Sequence, residues 1–204
     1  MGLCSTCTGQ LHPLDRFSRQ ALCQQPSALD ALVSGWSYEP PFESVIHALK
    51  FSSMEFLGPD MAAALHHLFV DSLPEFDVIV PIPLHWYRRS RRGYNQAEAI
   101  ARPLARLLAR PMVQALRRRR LTRPQARLGR QQRGMNLRLA FAPIRAQRAR
   151  ITNQRVLLVD DVVTTGATLE AAARCLREVG AHSITALTAG RTLGRRQTTN
   201  AEGF

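Results

Sequence analysis

Two adjacent carboxylates, Asp160 and Asp161, follow an apolar run, Val156 to Val159. A hydroxyl-rich loop comes next, Thr164-Thr165-Gly166-Ala167-Thr168, with one glycine in it. These residue types, in this order, suit one chemistry. Carboxylates accept hydrogen bonds from ribose hydroxyls. Backbone N–H groups at a helix N-terminus, with the positive end of the helix dipole, hold a phosphate. The pattern therefore describes a site for a phosphorylated sugar. Each half alone also has a structural explanation: an acidic pair ending a strand, or a loop capping a helix. Both in this order after a buried strand point to the ligand site.

The elements that must position these residues follow from periodicity. Val156 to Val159 reads as a buried parallel strand with Asp160 and Asp161 at its end. Leu169, Ala172, Ala173, Leu176 and Val179 recur at helical spacing, and Gly180 stops that helix. Asp77 to Pro83 reads as a second buried strand with a Pro-x-Pro stop, and Ser183 to Ala189 as the last strand before a frayed polar tail. Trp36 to Phe51 carries Phe42, Val45, Ile46 and Leu49 on one helical face. Residues 56–70 form another amphipathic helix, with His66 and His67 on its surface. Asn95 is placed to cap a helix from Gln96 to Leu108, kinked at Pro103. Residues 111–117 suggest a short strand. The alternation predicts an α/β fold: a mostly parallel sheet flanked by helices, with ligands at the carboxyl ends of the strands.

Length and charge bound the rest. At 204 residues the chain suits one α/β domain with a small appendage. No apolar run reaches the length of a membrane span, and the N-terminus lacks the basic and apolar regions of a signal peptide. Four cysteines do not make a disulfide scaffold, and Cys175 falls on a buried helix face, so a reducing, cytoplasmic home is the simplest reading. The net charge of +13 is uneven: residues 1–85 carry −6, residues 86–155 carry +19 with Glu98 as their single acid, and residues 156–204 carry zero. Genomic drift explains why arginine replaces lysine. It does not explain why acids vanish from one third alone, and that third is an anion-binding signal.

Within the basic third, Trp86, Tyr87 and Tyr94 sit among Arg88, Arg89, Arg91 and Arg92. The arginines suit pyrophosphate or nucleic-acid phosphates, with Asn95 beside them. The aromatics suit either base stacking or core packing. Residues 117–150 are arginine-rich and poor in periodic pattern, which reads as a long mobile hood. Residues 1–28 form a separate head in which Cys4-x-x-Cys7, His12 and Cys23 match part of a zinc ribbon. Pro26 stands where the last ligand belongs, which favours a degenerate finger without metal over a site closed by three thiolates and His12.

Asp160-Asp161 with the Thr164–Thr168 loop resembles the phosphoribosyl pyrophosphate (PRPP) signature of type I phosphoribosyltransferases. The resemblance implies that Asp160 and Asp161 bind the ribose 2′- and 3′-hydroxyls, directly or through Mg²⁺. It implies that Thr164, Thr165, Gly166, Ala167 and Thr168 cradle the 5′-phosphate. Arg92-Gly93-Tyr94-Asn95-Gln96 resembles the Arg-Gly-Phe/Tyr-Asn-Gln element of the ComF/GntX family of phosphoribosyltransferase-like proteins. Thr122-x-x-Gln125-x-x-Leu128, with Arg133 and Asn136 before Ala140-Phe141, fits the same family, as does Lys50 after an apolar helix. Together these cover roughly residues 35–193. The family usually begins with a fuller cysteine-rich zinc module, from which this chain departs. The resemblance implies a phosphoribosyltransferase-like domain over 29–204 and a role in natural transformation. That role is uptake of single-stranded DNA alongside a helicase-like partner. An active transferase of nucleotide metabolism or salvage is the alternative, releasing pyrophosphate by displacement at ribose C1. No base-recognition signature names its acceptor.

Overall fold

The computed structural model describes residues 11, 13–14, 20–21, 27–51, 54–119 and 140–193. Its centre is a five-stranded sheet of β1 (Gln20–Ala21), β2 (Ala31–Ser37), β3 (Val78–Pro81), β6 (Arg155–Val163) and β7 (Ser183–Arg191), in the order β1-β2-β7-β6-β3. All neighbours run parallel except the two-residue β1, which pairs antiparallel with β2. A separate antiparallel ribbon joins β4 (Leu116–Arg118) to β5 (Phe141–Pro143). Among the described residues five α-helices accompany the strands: α1 (Phe42–Phe51), α2 (Leu57–Phe69), α3 (Trp86–Arg92), α4 (Gln96–Leu107) and α5 (Ala167–Glu178). A 3₁₀ segment spans Arg145–Arg150.

Both faces of the sheet are covered, which is why β3 and the start of β6 are continuously apolar rather than alternating. Successive side chains go to opposite faces. Val156 and Leu158 pack with Leu169, Ala172 and Leu176 of α5. Leu157 and Val159 pack with Ile46 and Leu49 of α1, Met61 and Leu65 of α2, and Ile100 and Leu104 of α4. Helices α2 and α4 meet where Gly58 lies against the Ala99 backbone, a contact that leaves no room for a Cβ.

Several expectations from sequence are corrected. Trp36 is not helical: it lies on β2, and the helix begins at Phe42 after the Pro40-Pro41 pair. Ser34 and Gly35 disguise that strand in the sequence. In the fold the Ser34 hydroxyl is 2.7 Å from the Thr188 hydroxyl of β7, so one buried polar group satisfies the other. Strand β6 does not stop at Val159 but runs through the acidic pair to Val163, because β7 continues beside it to Arg191. Arg88 to Arg92, given no element from sequence, lie on helix α3. The described parts of the hood region, 117–119 and 140–150, belong to β4, β5 and the 3₁₀ segment, and Leu116 and Phe141 pack into the core there. Thr122, Gln125, Arg133 and Asn136 lie outside the described residues, as do Cys4, Cys7, His12, Cys23 and the tail from 194. Of the head, Leu11 and Leu14 are buried, and the Leu14 N–H donates to the Gly35 carbonyl of β2 at 2.9 Å. No helix among the described residues is long and apolar enough to cross a membrane.

Candidate functional site

The parallel strands β3 and β6 deliver their carboxyl ends to one rim, where two cavities meet. Strand alternation sends Asp160 to the side of Leu158 and Asp161 to the side of Val159. Asp161 therefore faces the α1 layer, and there its Oδ2 accepts from Lys50 Nζ at 3.0 Å. Asp160 Oδ1 accepts from the Asp161 N–H at 2.9 Å, and Asp161 Oδ1 from the Val162 N–H at 2.7 Å. Enclosure by protein, and then the Asp161 carboxylate beside it, push the Asp160 carboxyl up to about 8; Lys50 and Arg118 act against that rise.

The Thr/Gly loop turns from β6 into α5. Gly166 makes the turn with φ 75°, in the left-handed region that suits glycine. A nook of about 40 Å³ opens here, lined by Asp160, Thr164, Thr165, Gly166, Ala167 and Thr168 among others. It sits at the N-terminus of a 12-residue helix, where the first-turn N–H groups, that of Ala167 3.5 Å from Thr165 Oγ1, and the dipole attract an anion. Beside it lies a wider cleft of about 210 Å³, which shares Asp160, Val162 and Thr168 with the nook. Lys50, Arg92, Asn95, Gln96, Arg118 and Asp161 line that cleft as well.

The Arg92–Gln96 segment positions this wall more than it charges it. Gly93, at φ 81°, ends α3. The Asn95 side chain does not cap α4: its Nδ2 donates to the Ile82 carbonyl just past β3 at 2.9 Å. Tyr94 is buried, so it is not available for stacking, and its hydroxyl donates to the Leu49 carbonyl. Gln96 Nε2 donates to the same carbonyl at 3.5 Å. Two side chains of the segment thus clamp the residue before Lys50. Arg92 itself lies over the Phe51 ring, 4.7 Å from its centroid, and its Nη1 donates to Gln96 Oε1 at 3.4 Å.

The basic residues expected to act together separate. Arg92 lines the cleft. Arg89 lines a neighbouring groove, 4.0 Å from Glu98, and Arg91 is exposed beyond both. The Arg88 side chain lies outside what is described. Arg118 enters the cleft without having been singled out from sequence, and Gln96, the last residue of the Arg92–Gln96 element, lines it too. Arg118 was hidden in an arginine run, whereas Lys50 carried a readable signal: it is the single lysine of the chain.

The acidic pair does not fit a protein-held divalent ion. Three of its four carboxylate oxygens are engaged by Lys50 and by two backbone N–H groups. Among the described residues no group of three or more His, Cys, Asp or Glu side chains could hold a metal. A Mg²⁺ ion at this site would take at most one or two carboxylate oxygens, beside the phosphates of a bound ligand and its own waters.

Comparisons with known proteins agree with this architecture. The model of the phosphoribosyl transferase domain family matches residues 90–199. Competence protein F of Haemophilus influenzae is 32% identical over 189 residues, covering 89% of this chain and 81% of its own. DNA utilization protein YhgH of Escherichia coli K12 is 33% identical, covering 83% and 76%. Competence protein ComFC of Bacillus subtilis is 34% identical over 113 residues, covering 54% and 43%. Among solved structures, a purine phosphoribosyltransferase from Pyrococcus horikoshii superposes with a TM-score of 0.39 at 17% identity, covering 65% and 81%. That superposition is too loose to add to the family match. By its sequence relatives and its domain, the chain belongs to the ComF family of phosphoribosyltransferase-fold proteins.

Proposed function

We propose that this protein binds PRPP in the cleft and acts in the handling of incoming single-stranded DNA in the cytoplasm. The observation that carries the ligand half is the junction of the two cavities. A helix-N-terminal nook suited to a 5′-phosphate opens, across Asp160 and Thr168, into a cleft bearing Lys50, Arg92 and Arg118. A phosphate in the nook would leave the ribose beside Asp160 and Asp161 and direct the pyrophosphate toward the cationic wall. Ribose hydroxyls then donate directly to the carboxylates. A Mg²⁺ ion enters this reading as a companion of the pyrophosphate, not as a ligand of Asp161. What supports the DNA half is the +19 charge of residues 86–155, together with relatives named for competence and DNA utilization. A helicase partner belongs to the same reading by family resemblance.

The test joins two titrations. PRPP binding is measured by calorimetry at about pH 9, where the Asp160 carboxyl is ionised, for the wild type, for Asp160→Asn and for Asp161→Asn, with pyrophosphate release assayed against a panel of nucleobases. Single-stranded DNA affinity is measured against salt concentration for the same three proteins. The reading expects PRPP binding to fall in both variants and DNA affinity to drop steeply with salt in all three. Equal PRPP affinity in the variants would remove the ligand half, and a flat salt response would remove the DNA half. Pyrophosphate release with any acceptor would make the protein an active transferase.

A further inference from the structure

A second depression adjoins the cleft and shares part of one wall with it. It has a volume of about 250 Å³ and lies between the β3–α3 connection and the β4–β5 ribbon. Pro83, Leu84, Trp86, Arg89, Arg117 and Arg118 line it. Trp86 is 70% exposed at its edge, the largest exposure among the big apolar side chains described. The ring is not loosely attached. It lies 5.6 Å from the His85 ring, which is buried and accepts from the Tyr87 N–H at 3.2 Å, and it meets the Tyr87 ring edge-on at 6.1 Å. An indole held face-accessible beside prolines and leucine, rimmed by arginines, matches an unpaired base and its flanking phosphates. At the far end Glu98 is fixed by Arg102 and by Gln114 Nε2 at 2.8 Å. Its carboxylate is the single acidic group of the 86–155 region and offers an acceptor for an exocyclic amine.

We propose that this groove holds one unpaired nucleotide of a nucleic-acid strand, its base stacked on Trp86 and its phosphates on Arg89 and Arg117. This rests on, and deepens, the reading of the protein as a handler of single strands. A duplex cannot use the groove, because its bases are already stacked on each other. The position has a consequence. Pro83, Leu84, Asn95 and Arg118 line both the groove and the phosphoribosyl cleft. Two polyanions that draw on Arg118 weaken each other's binding, and by linkage the factor is the same in both directions.

The chain suits a direct test, because its other tryptophan, Trp36, is buried in the core. Short oligodeoxynucleotides and oligoribonucleotides of one sequence, and the matching DNA duplex, are titrated while tryptophan fluorescence and anisotropy are followed. Quenching of Trp86 is expected with single strands, and the better-bound of the two strand types identifies the source. Trp86→Ala should abolish the quenching and weaken single-strand binding about 5- to 100-fold, with Trp86→Phe restoring most of the affinity. Arg117→Gln should weaken strand binding and leave PRPP binding unchanged. Saturating PRPP should weaken the strand about fivefold or more, and the strand should weaken PRPP equally. Wild-type affinity in Trp86→Ala, or equal quenching by duplex, overturns the groove while leaving the cleft reading intact. Strand binding that PRPP leaves unchanged overturns the shared wall. A wild-type protein that binds no strand at all overturns both the groove and the DNA half of the function.

Discussion

Lys50 Nζ lies 3.0 Å from Asp161 Oδ2, at the end of a helix whose preceding carbonyl, that of Leu49, is clamped by Tyr94 and Gln96. A chain that uses arginine for every other base keeps a lysine here. The side chains are 23% and 13% exposed, so the pair is only partly screened. An ammonium is a compact point charge that fits between a carboxylate and an incoming phosphate. A guanidinium is a wide planar fork that does not.

Lys50→Met leaves the acidic pair without its counter-cation in the cleft proposed for a polyanion. PRPP affinity in EDTA should fall about tenfold or more, the equivalent of about 1.4 kcal/mol. Lys50→Arg should recover only part of it. Adding Asp161→Asn to Lys50→Met should recover more than additivity allows, because the unpaired charge is then gone. Calorimetric titration of these three variants and of Asp161→Asn alone checks the pattern, and independent, additive losses would sink the pairing argument.

The raised pKa of Asp160 gives a pH signature. The ionised form accepts from ribose hydroxyls and dominates only above about pH 8. The ligand's phosphates are already ionised by pH 7. PRPP affinity should therefore rise between about pH 7 and 9 in the wild type and stay level in Asp160→Asn. Stability runs the other way. The folded state binds the proton more tightly than the unfolded chain, so ionising Asp160 costs stability increasingly from about pH 4 to 8. Asp160→Asn should melt higher than the wild type at pH 8.5, and the gap should close toward pH 4.

Much of the candidate site was legible in the sequence because the residues proposed to meet the ligand are local. Asp160, Asp161 and the Thr164–Thr168 loop sit on one strand, turn and helix, and each element declares its period or its glycine. The cationic wall was not legible in the same way. Lys50, Arg92 and Arg118 come from three elements, and only sheet order brings α1, α3 and β4 to one rim. Nor could a run such as Arg117 to Arg120 say which guanidinium turns inward. Strand β2 was missed because its interior partner for Ser34 is Thr188, a residue 154 positions away. The aromatics near Arg92 divide by burial, which one sequence cannot report: Tyr94 packs inward while Trp86 stands out.

Gly166→Ala tests the phosphate nook without touching a charge. Nothing lies within 4 Å of the added Cβ, so the cost is conformational alone. Holding a non-glycine residue at φ 75° costs about 1–2 kcal/mol. Melting temperature should drop a few degrees for a chain of this length. PRPP affinity should fall as the Ala167 and Thr168 N–H groups lose their orientation. Unchanged affinity with the expected loss of stability would remove the loop from the binding site.

Gly58→Ala probes the layer that supports Lys50 from behind. Its Cβ would strike the Ala99 carbonyl of α4, which is backbone and cannot rotate away. Overpacking costs about 1–3 kcal/mol. The helix-propensity gain of about 1 kcal/mol offsets only part, and less in the first turn, where Gly58 stands. A lower melting temperature is expected. A rise would mean that α2 and α4 separate easily.

Arg155 staples the starts of β3 and β6. Its Nη2 donates to Asp77 Oδ1 at 2.7 Å, its Nε to Asp77 Oδ2 at 3.1 Å, and its backbone N–H to the same oxygen at 2.9 Å. The side-chain and backbone hydrogen bonds from Arg155 hold the Asp77 carboxyl down at about 2. A carboxyl depressed on folding stabilises the native state above its ordinary pKa near 4, and that contribution is lost as pH falls through about 2. Asp77→Asn should therefore lower the melting temperature at pH 7. The difference from wild type should narrow from about pH 4 downward and be gone near pH 2. Glu75 accepts from the same guanidinium but is largely exposed, so Glu75→Gln should show little change at any pH. A melting-temperature series over that range for both variants decides it. A pH-independent gap for Asp77→Asn would mean that the staple works through shape, with its charge contributing nothing.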